Sequence, residues 1–133
     1  MDEGMTTNNA KEALLVIDVQ NEYFTGHLPM TFPEGIMEKW LRTGGVSRIA
    51  ICGYMAQMCC DTTARQSFHL GFQVDFLSDA VGTLAVQNSA GAISATDLHR
   101  AVMVTQAMLF ARVMKTEEWI RAMVEGRFSR RVG

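Results

Sequence analysis

The sequence has no excess of charge of one sign and no long apolar run. Its 12 Lys and Arg residues nearly balance 14 Asp and Glu residues, which leaves a net charge of -2. This balance argues against nucleic acid or an anionic membrane surface as the main partner. No apolar stretch reaches the roughly 18 residues of a membrane-spanning helix. The polar start, MDEGMTTNNAKE, does not resemble a signal peptide, so we expect a cytoplasmic protein.

Cysteine and histidine are also scarce, and their spacing excludes two classes of site. The three cysteines are an odd number and two of them, Cys59 and Cys60, are adjacent, which is not a disulfide framework and fits a reducing compartment. The three histidines are widely separated and no pair has metal-ligand spacing. Neither the dinucleotide-binding motif G-x-G-x-x-G after a strand nor the P-loop motif G-x-x-x-x-G-K-[ST] occurs. The sequence therefore predicts no metal and no cofactor.

What the sequence does contain is an alternation of short apolar runs and helical patterns. The 133 residues indicate one domain, residues 1–133. The runs rich in branched residues predict strands at 13–19, 47–52, 72–77 and 110–114. The periodic segments predict helices at 36–43, 59–70 and 94–109, and a last helix capped by Thr116. This order predicts an α/β fold with a mainly parallel sheet of about four strands and flanking helices.

Two residues lie where parallel sheets bind ligands, outside the carboxyl ends of the strands. Asp18 ends the first strand, and Cys59 lies where the second strand leads into a helix. A helix N-terminus stabilises a thiolate, and its free N–H groups stabilise an oxyanion formed by thiolate attack on a carbonyl. Cys59 is therefore a candidate nucleophile and Asp18 a candidate base.

Each of these residues also has a structural interpretation. Most free cysteines are small buried hydrophobes, which is how we interpret Cys52 and Cys60 and which remains open for Cys59. An acid at a strand end often caps a neighbouring loop or helix. The segment after Asp18 contains Gln20, Tyr23 and Phe24, which either line a substrate pocket or cover the edge of the sheet.

Three stretches together resemble a known family, the isochorismatase-like cysteine hydrolases, which include nicotinamidases. ALLVIDVQNEYFTG resembles the opening of that family. CGYMAQMCCDTTARQSFHLGFQVDFLSDAVGT resembles its nucleophile motif with the helix, strand and loop that follow. SAGAISATDLHRAVMVTQAMLFARVMKTEEW resembles its ending. The resemblance implies a Rossmann-like, three-layer α/β fold with a parallel sheet.

The resemblance also implies roles for particular residues. The cysteine-bearing members use an Asp, a Lys and a Cys, and Asp18 and Cys59 match the first and the last. The backbone N–H groups of Met55 and Cys59 match those that form the oxyanion hole. The Tyr54–Met55 peptide bond matches one that is often cis in the family.

The sequence departs from the family pattern at two places. Ala56 stands where a Thr is common. Further βα units of the family, on the order of 60 residues, are missing, and residues 31–35 join the flanking parts directly. The missing part carries the catalytic Lys, and Lys39 does not match its position.

The resemblance implies hydrolysis of an amide-type C–N bond of a small molecule through a Cys59 thioester. The alternative is a catalytically impaired or inactive relative that acts as an oligomeric or interaction subunit, which the missing βα units and Ala56 favour. Loss of neighbouring units would make the first strand an apolar edge, which invites pairing with another chain. We therefore expect a homo-oligomer or aggregation.

Overall fold

A computed structural model describes residues 11–17 and 36–129 of the chain. The strands are β1 (Lys11–Ile17), β2 (Val46–Tyr54), β3 (Gln73–Gly82), β4 (Val86–Asn88), β5 (Gly91–Ile93) and β6 (Arg112–Met114). The α-helices are α1 (Ile36–Thr43), α2 (Asp61–His69), α3 (Ala95–Thr105) and α4 (Thr116–Val124). A π-helical turn, Ala56–Cys60, leads into α2, and a second, Gln106–Phe110, follows α3. Within the described part of the chain, no helix has the length and apolarity needed to cross a membrane.

The main sheet has four parallel strands in the order β1-β2-β3-β6. Leu15 is aligned with Ile51, Ile51 with Phe76, and Phe76 with Val113, so one row of apolar side chains crosses the whole sheet. The predicted α/β fold with a mainly parallel sheet is confirmed. Strands β4 and β5 form a separate antiparallel hairpin, which the sequence analysis did not predict.

Helices cover both faces of this sheet, because alternate side chains of each strand point to opposite faces. On one face Ile51 and Phe76 form a core with buried residues of three helical segments, including Leu41, Ala64 and Val102. On the other face, a second buried cluster joins Ala50, Leu77, Trp119, Ala122 and Phe128. The result is the predicted arrangement of three layers.

The boundaries of several elements differ from the prediction. The helical segment after β2 begins at Ala56 rather than at Cys59. Strand β3 continues to Gly82 because its last residues pair with Gly53 and Tyr54 of β2. Strand β6 begins at Arg112 rather than at residue 110, because the π-helical turn after α3 extends to Phe110.

The cap of α4 was also predicted wrongly. Thr116 is the first helical residue, and the N-cap is Lys115, whose backbone N–H donates to Glu118 at 3.0 Å. The backbone N–H and the hydroxyl of Thr116 donate to Oδ1 of Asp79 at 2.8 and 2.7 Å. A carboxylate of β3 therefore satisfies the start of α4, a contact between distant residues that local sequence spacing does not reveal.

Candidate active site

The candidate site lies at the carboxyl edge of the parallel sheet. Strand β1 ends beside β2, with Ile17 aligned with Gly53. Gly53 has a φ of 122°, in the region that favours glycine, and the Tyr54–Met55 peptide bond that follows is cis, as the sequence resemblance implied. The chain then enters the π-helical turn Ala56–Cys60, so Cys59 lies in the first turn of a helical segment.

The two adjacent cysteines lie in opposite environments. Cys59 is exposed, whereas Cys60 is fully buried in the core between the sheet and the helices. Burial, with smaller contributions from the neighbouring Cys59 and Cys52, raises the pKa of the Cys60 thiol to about 12. The predicted packing role of Cys60 is therefore supported, and of this pair only Cys59 is exposed to solvent.

The backbone of this turn is consistent with an anion site beside Cys59. The carbonyl oxygen of Met55 accepts hydrogen bonds from the N–H groups of Met58 at 3.1 Å and Cys60 at 3.3 Å. Among the described residues, that carbonyl accepts no hydrogen bond from the N–H of Cys59, which lies between those two donors. The assignment of the Met55 and Cys59 N–H groups to an oxyanion hole stays a prediction.

The Gln57 side chain links the turn to the end of β3 by a hydrogen bond. The hydroxyl of Thr83 donates to Oε1 of Gln57 at 2.6 Å, and the Gln57 amide contacts Sδ of Met55 at 3.9 Å. These contacts fix the side chain of the residue two positions before Cys59. Sequence reasoning missed both Gln57 and Thr83, because only the pairing of β2 with β3 brings them together.

An exposed apolar surface lies next to this turn. The Tyr54 ring packs directly over Gly82, where any Cβ would overlap it. Tyr54 is 51% exposed and Met58 is 54% exposed. This edge therefore presents aromatic and apolar side chains around Cys59, which suits contact with an organic molecule or with another protein surface.

Cys52, the third cysteine, has a structural place in β2. Its Sγ donates to the backbone carbonyl of Leu15 in β1 at 3.7 Å. The side chain is half-buried and packs beside the cluster that contains Trp119. Burial raises the pKa of the Cys52 thiol, which disfavours the thiolate.

Several predicted site residues lie outside the described residues. These are Asp18, Gln20, Tyr23 and Phe24. Lys39 is described and lies exposed on α1. Within residues 11–17 and 36–129, no cluster of three or more His, Cys, Asp or Glu side chains could hold a metal ion. His99 instead bonds through Nε2 to the backbone carbonyl of Ser78 at 2.9 Å.

The fold and the site define a class of protein: a parallel α/β protein with an exposed cysteine at a strand-to-helix turn. The profile of the Isochorismatase domain matches residues 30–118, which is more than half of the chain. The chain therefore belongs to the isochorismatase family.

Individual relatives agree with this assignment. The chain is 28% identical over 95 residues to the uncharacterized isochorismatase family protein YddQ of Bacillus subtilis, covering 71% of this chain and 53% of YddQ. It is 31% identical over 80 residues to Nicotinamidase 3 of Arabidopsis thaliana, covering 60% of this chain and 35% of that protein. Among solved structures, a cysteine hydrolase from Pseudomonas syringae pv. phaseolicola 1448A matches with a TM-score of 0.65 and 34% identity, covering 67% of this chain and 42% of that one. The chain thus spans about half or less of the length of these relatives.

Proposed function

We propose that this protein is a cysteine hydrolase that cleaves an amide-type C–N bond of a small molecule. The observation that carries the proposal is the exposed Cys59 in the first helical turn after β2, beside a Cys60 that is fully buried. The proposed reaction uses no metal and no cofactor, and the proposed place of action is the cytoplasm. The names of two relatives, a cysteine hydrolase and a nicotinamidase, support amide chemistry over other reactions.

In the proposed first half of the reaction, Asp18 accepts the thiol proton and Sγ of Cys59 attacks the substrate carbonyl carbon. The carbonyl oxygen becomes an oxyanion that accepts hydrogen bonds from the backbone N–H groups of Met55 and Cys59. The C–N bond then breaks, the nitrogen takes the proton from Asp18, and the amine or ammonia leaves. A Cys59 thioester remains.

In the second half, water attacks the thioester carbonyl and gives a proton to Asp18. The C–S bond breaks, the carboxylic acid leaves, and the Cys59 sulfur recovers the proton. The assignment of Asp18 rests on its place directly after Ile17, the residue that is aligned with Gly53 at the candidate site. Gln20, Tyr23 and Phe24 follow it and are proposed to contribute to the substrate pocket.

The nucleophile assignment is tested by alkylation. Iodoacetamide labelling of Cys59 is measured across pH in the natural protein and in the Asp18→Asn variant. A base that activates Cys59 makes labelling at neutral pH faster than that of a simple thiol, and Asp18→Asn slows it. An ordinary thiol profile that Asp18→Asn leaves unchanged would remove the basis of the assignment.

The reaction itself is tested with a panel of small amides, including nicotinamide, by following release of ammonia or amine. Cys59→Ala abolishes turnover, because no other described cysteine presents an exposed sulfur. Cys60→Ala is the matched control, because Cys60 adjoins Cys59 in the sequence but is buried. Turnover that survives Cys59→Ala contradicts a thioester mechanism.

A second candidate function is an interaction subunit without activity. It is favoured by Ala56, which is fully buried and carries no hydroxyl toward the turn, and by the exposed position of Lys39 outside the matching motif. Normal folding with unreactive Cys59 and no turnover on any amide of the panel would support this candidate over the first.

A further inference from the structure

The hairpin formed by β4 and β5 has an unusual composition for an exposed element. No Asp, Glu, Lys or Arg occurs between Asp79 and Asp97, although 20% of the whole sequence is charged. The intervening sequence, AVGTLAVQNSAGAISAT, is made of apolar and uncharged polar residues. Depletion of charge is a property of the centres of protein interfaces rather than of solvated loops.

The hairpin is nevertheless a defined structure. Val86 pairs with Ile93, Gln87 with Ala92, and Asn88 with Gly91. The Asn88 side chain accepts a hydrogen bond from the backbone N–H of Ala90 at 2.9 Å, which closes the turn, and Gly91 has a φ of 138°. A turn built in this way fixes both the length and the register of the hairpin.

This ordered hairpin is exposed over almost its whole length. All residues from Gln87 to Ser94 are exposed, and Leu84 at its base is 68% exposed. Within the described part of the chain, β4 and β5 pair with each other and with no other strand. An isolated two-stranded hairpin is marginal in water, and its two outer edges present unpaired backbone groups to another strand.

The apolar surface continues from the hairpin onto the body of the protein. The Thr83 side chain bonds to Gln57, so the base of the hairpin lies against the turn that carries the exposed Met58. The exposed Tyr54 ring packs on Gly82 at the same place. Uncharged and apolar side chains exposed together on one side of a protein suit an interaction surface.

We propose that the β4–β5 hairpin is an interface arm that pairs with the same hairpin of a second copy of this chain, giving a two-fold dimer with a continuous four-stranded antiparallel sheet. A two-fold contact places the same residues of both copies against each other. A charged arm would therefore repel itself, whereas this uncharged arm does not. Pairing also satisfies one outer edge of each hairpin and gives the sheet the number of strands that it needs for stability.

The size of the arm is consistent with such a dimer. A standard interface uses about 20–30 residues from each partner. The exposed residues of the uncharged segment, together with Tyr54 and Met58, number 13, about half of that size, which is consistent with a weaker, reversible dimer. This interface is distinct from the β1 edge that the sequence analysis considered for self-association.

The test is the mass of the full chain by size-exclusion chromatography with light scattering. The natural protein is expected to be a dimer, and Ala92→Lys raises its dissociation constant at least tenfold by placing like charges at the two-fold contact. Val124→Lys on α4, where Val124 is 82% exposed, and Val16→Lys on β1 are controls that leave the mass unchanged. Circular dichroism establishes that each variant is folded.

A natural protein that stays monomeric over the whole accessible concentration range would overturn the proposal. So would a dimer that Val16→Lys dissociates and Ala92→Lys leaves intact, because the β1 edge would then be the interface. A second measurement does not depend on weakening the dimer. In a Cys59→Ser background, Ala92→Cys on β5 forms disulfide-linked dimers under mild oxidation, whereas Gln66→Cys on α2 does not. Equal crosslinking of both variants would contradict an interface at the hairpin.

Discussion

Cys59 and Cys60 show how the fold gives two identical residues different chemistry. Successive residues of a helical turn point in different directions, so Cys59 faces solvent while Cys60 faces the core. Cys60 lies in the cluster with Ala56 and Ala64, where the charged form of a thiol is unfavourable. The site can therefore present one reactive sulfur without competition from its neighbour.

The raised pKa of Cys60, to about 12, predicts a loss of stability in alkali. Because the folded-state pKa lies above that of the unfolded thiol, the contribution of Cys60 is complete below pH of about 8.5 and is lost as the pH rises toward 12. The expected extra decrease in the free energy of unfolding is at most about 1.4 kcal/mol per pH unit. Urea unfolding of the natural protein and of Cys60→Ala, measured from neutral to alkaline pH, gives the difference.

Cys59→Ala is the control for this measurement, because Cys59 is exposed and its removal leaves the alkaline loss in place. Other groups that titrate in alkali are common to all three proteins and cancel in the comparison. A Cys60→Ala variant with the same pH dependence as the natural protein would contradict the burial argument.

At the candidate site, the sequence could predict the position of Cys59 but not the side chains that pack around it. The strand-to-helix turn and the place of Cys59 in it follow from local patterns of residues 46–60. The contact of Gln57 with Thr83 and the packing of Tyr54 on Gly82 do not, because they depend on how far β3 pairs with β2. Pairing between strands distant in sequence leaves no local signal.

At the scale of elements, the start of α4 depends on a side chain from β3. The Thr116 hydroxyl and then its backbone N–H lower the pKa of Asp79 by donating hydrogen bonds to its carboxylate. We predict that Asp79→Ala destabilises the protein by about 1 kcal/mol at neutral pH, the usual cost of a lost cap, reduced by the exposure of the carboxylate. Thermal unfolding of both proteins measures the difference.

The effect of Asp79 has a defined pH dependence. Because its folded-state pKa is lowered, its contribution is present above the ordinary carboxyl pKa near 4 and is lost as the pH falls through the folded-state value. Asp79→Asn, which keeps one acceptor oxygen but no charge, is expected to fall between Asp79→Ala and the natural protein at neutral pH. Equal stability of all three proteins at neutral pH would show that the Asp79 carboxylate does not stabilise the start of α4.

The elements differ in how well local sequence specifies them. Helix α1 has the predicted bounds, Ile36–Thr43, because its apolar periodicity ends at two glycines and Gly45 adopts a φ of 75°. The β4–β5 hairpin was missed because its strands, VQN and GAI, are three residues long, which is too short to show the alternation typical of strands. The Asn88–Gly91 turn was the one signal present.

At the scale of the whole molecule, a buried charge cluster ties the amino ends of three strands together, at the edge opposite Cys59. Asp75 of β3 is fully buried and pairs with Arg48 of β2 and Arg112 of β6, each at 3.1 Å. The ring of Phe128 packs against both guanidinium groups, at 4.5 and 4.8 Å from its centre. This cluster holds β2, β3, β6 and the segment after α4 in one arrangement.

Because Arg48 is also buried, loss of the Asp75 charge leaves this cation without its buried counter-charge. We predict that Asp75→Asn lowers the free energy of unfolding by about 3–5 kcal/mol. The exposed pair of Asp97 with Arg100 supplies the control, and Asp97→Asn is expected to cost less than about 1 kcal/mol. Similar losses from the two substitutions, measured by urea unfolding, would show that the cluster is not strongly coupled.

Self-association is the last property that belongs to the whole molecule. Two of the surfaces that expose apolar residues are strand edges able to pair with another chain: the hairpin, and β1, where Leu14 and Val16 are 49% and 63% exposed. An ordered dimer is stabilised by mass action, so each tenfold rise in protein concentration stabilises it by about 1.4 kcal/mol. The melting temperature should therefore rise by a few degrees for each tenfold rise in protein concentration, at about 2–4 °C per kcal/mol for larger domains.

Aggregation through an unpaired apolar edge instead makes unfolding irreversible and lowers the apparent melting temperature as protein concentration rises. A reversible increase that Ala92→Lys removes would identify an ordered dimer through the hairpin, and a melting temperature independent of concentration would contradict any dimer coupled to folding.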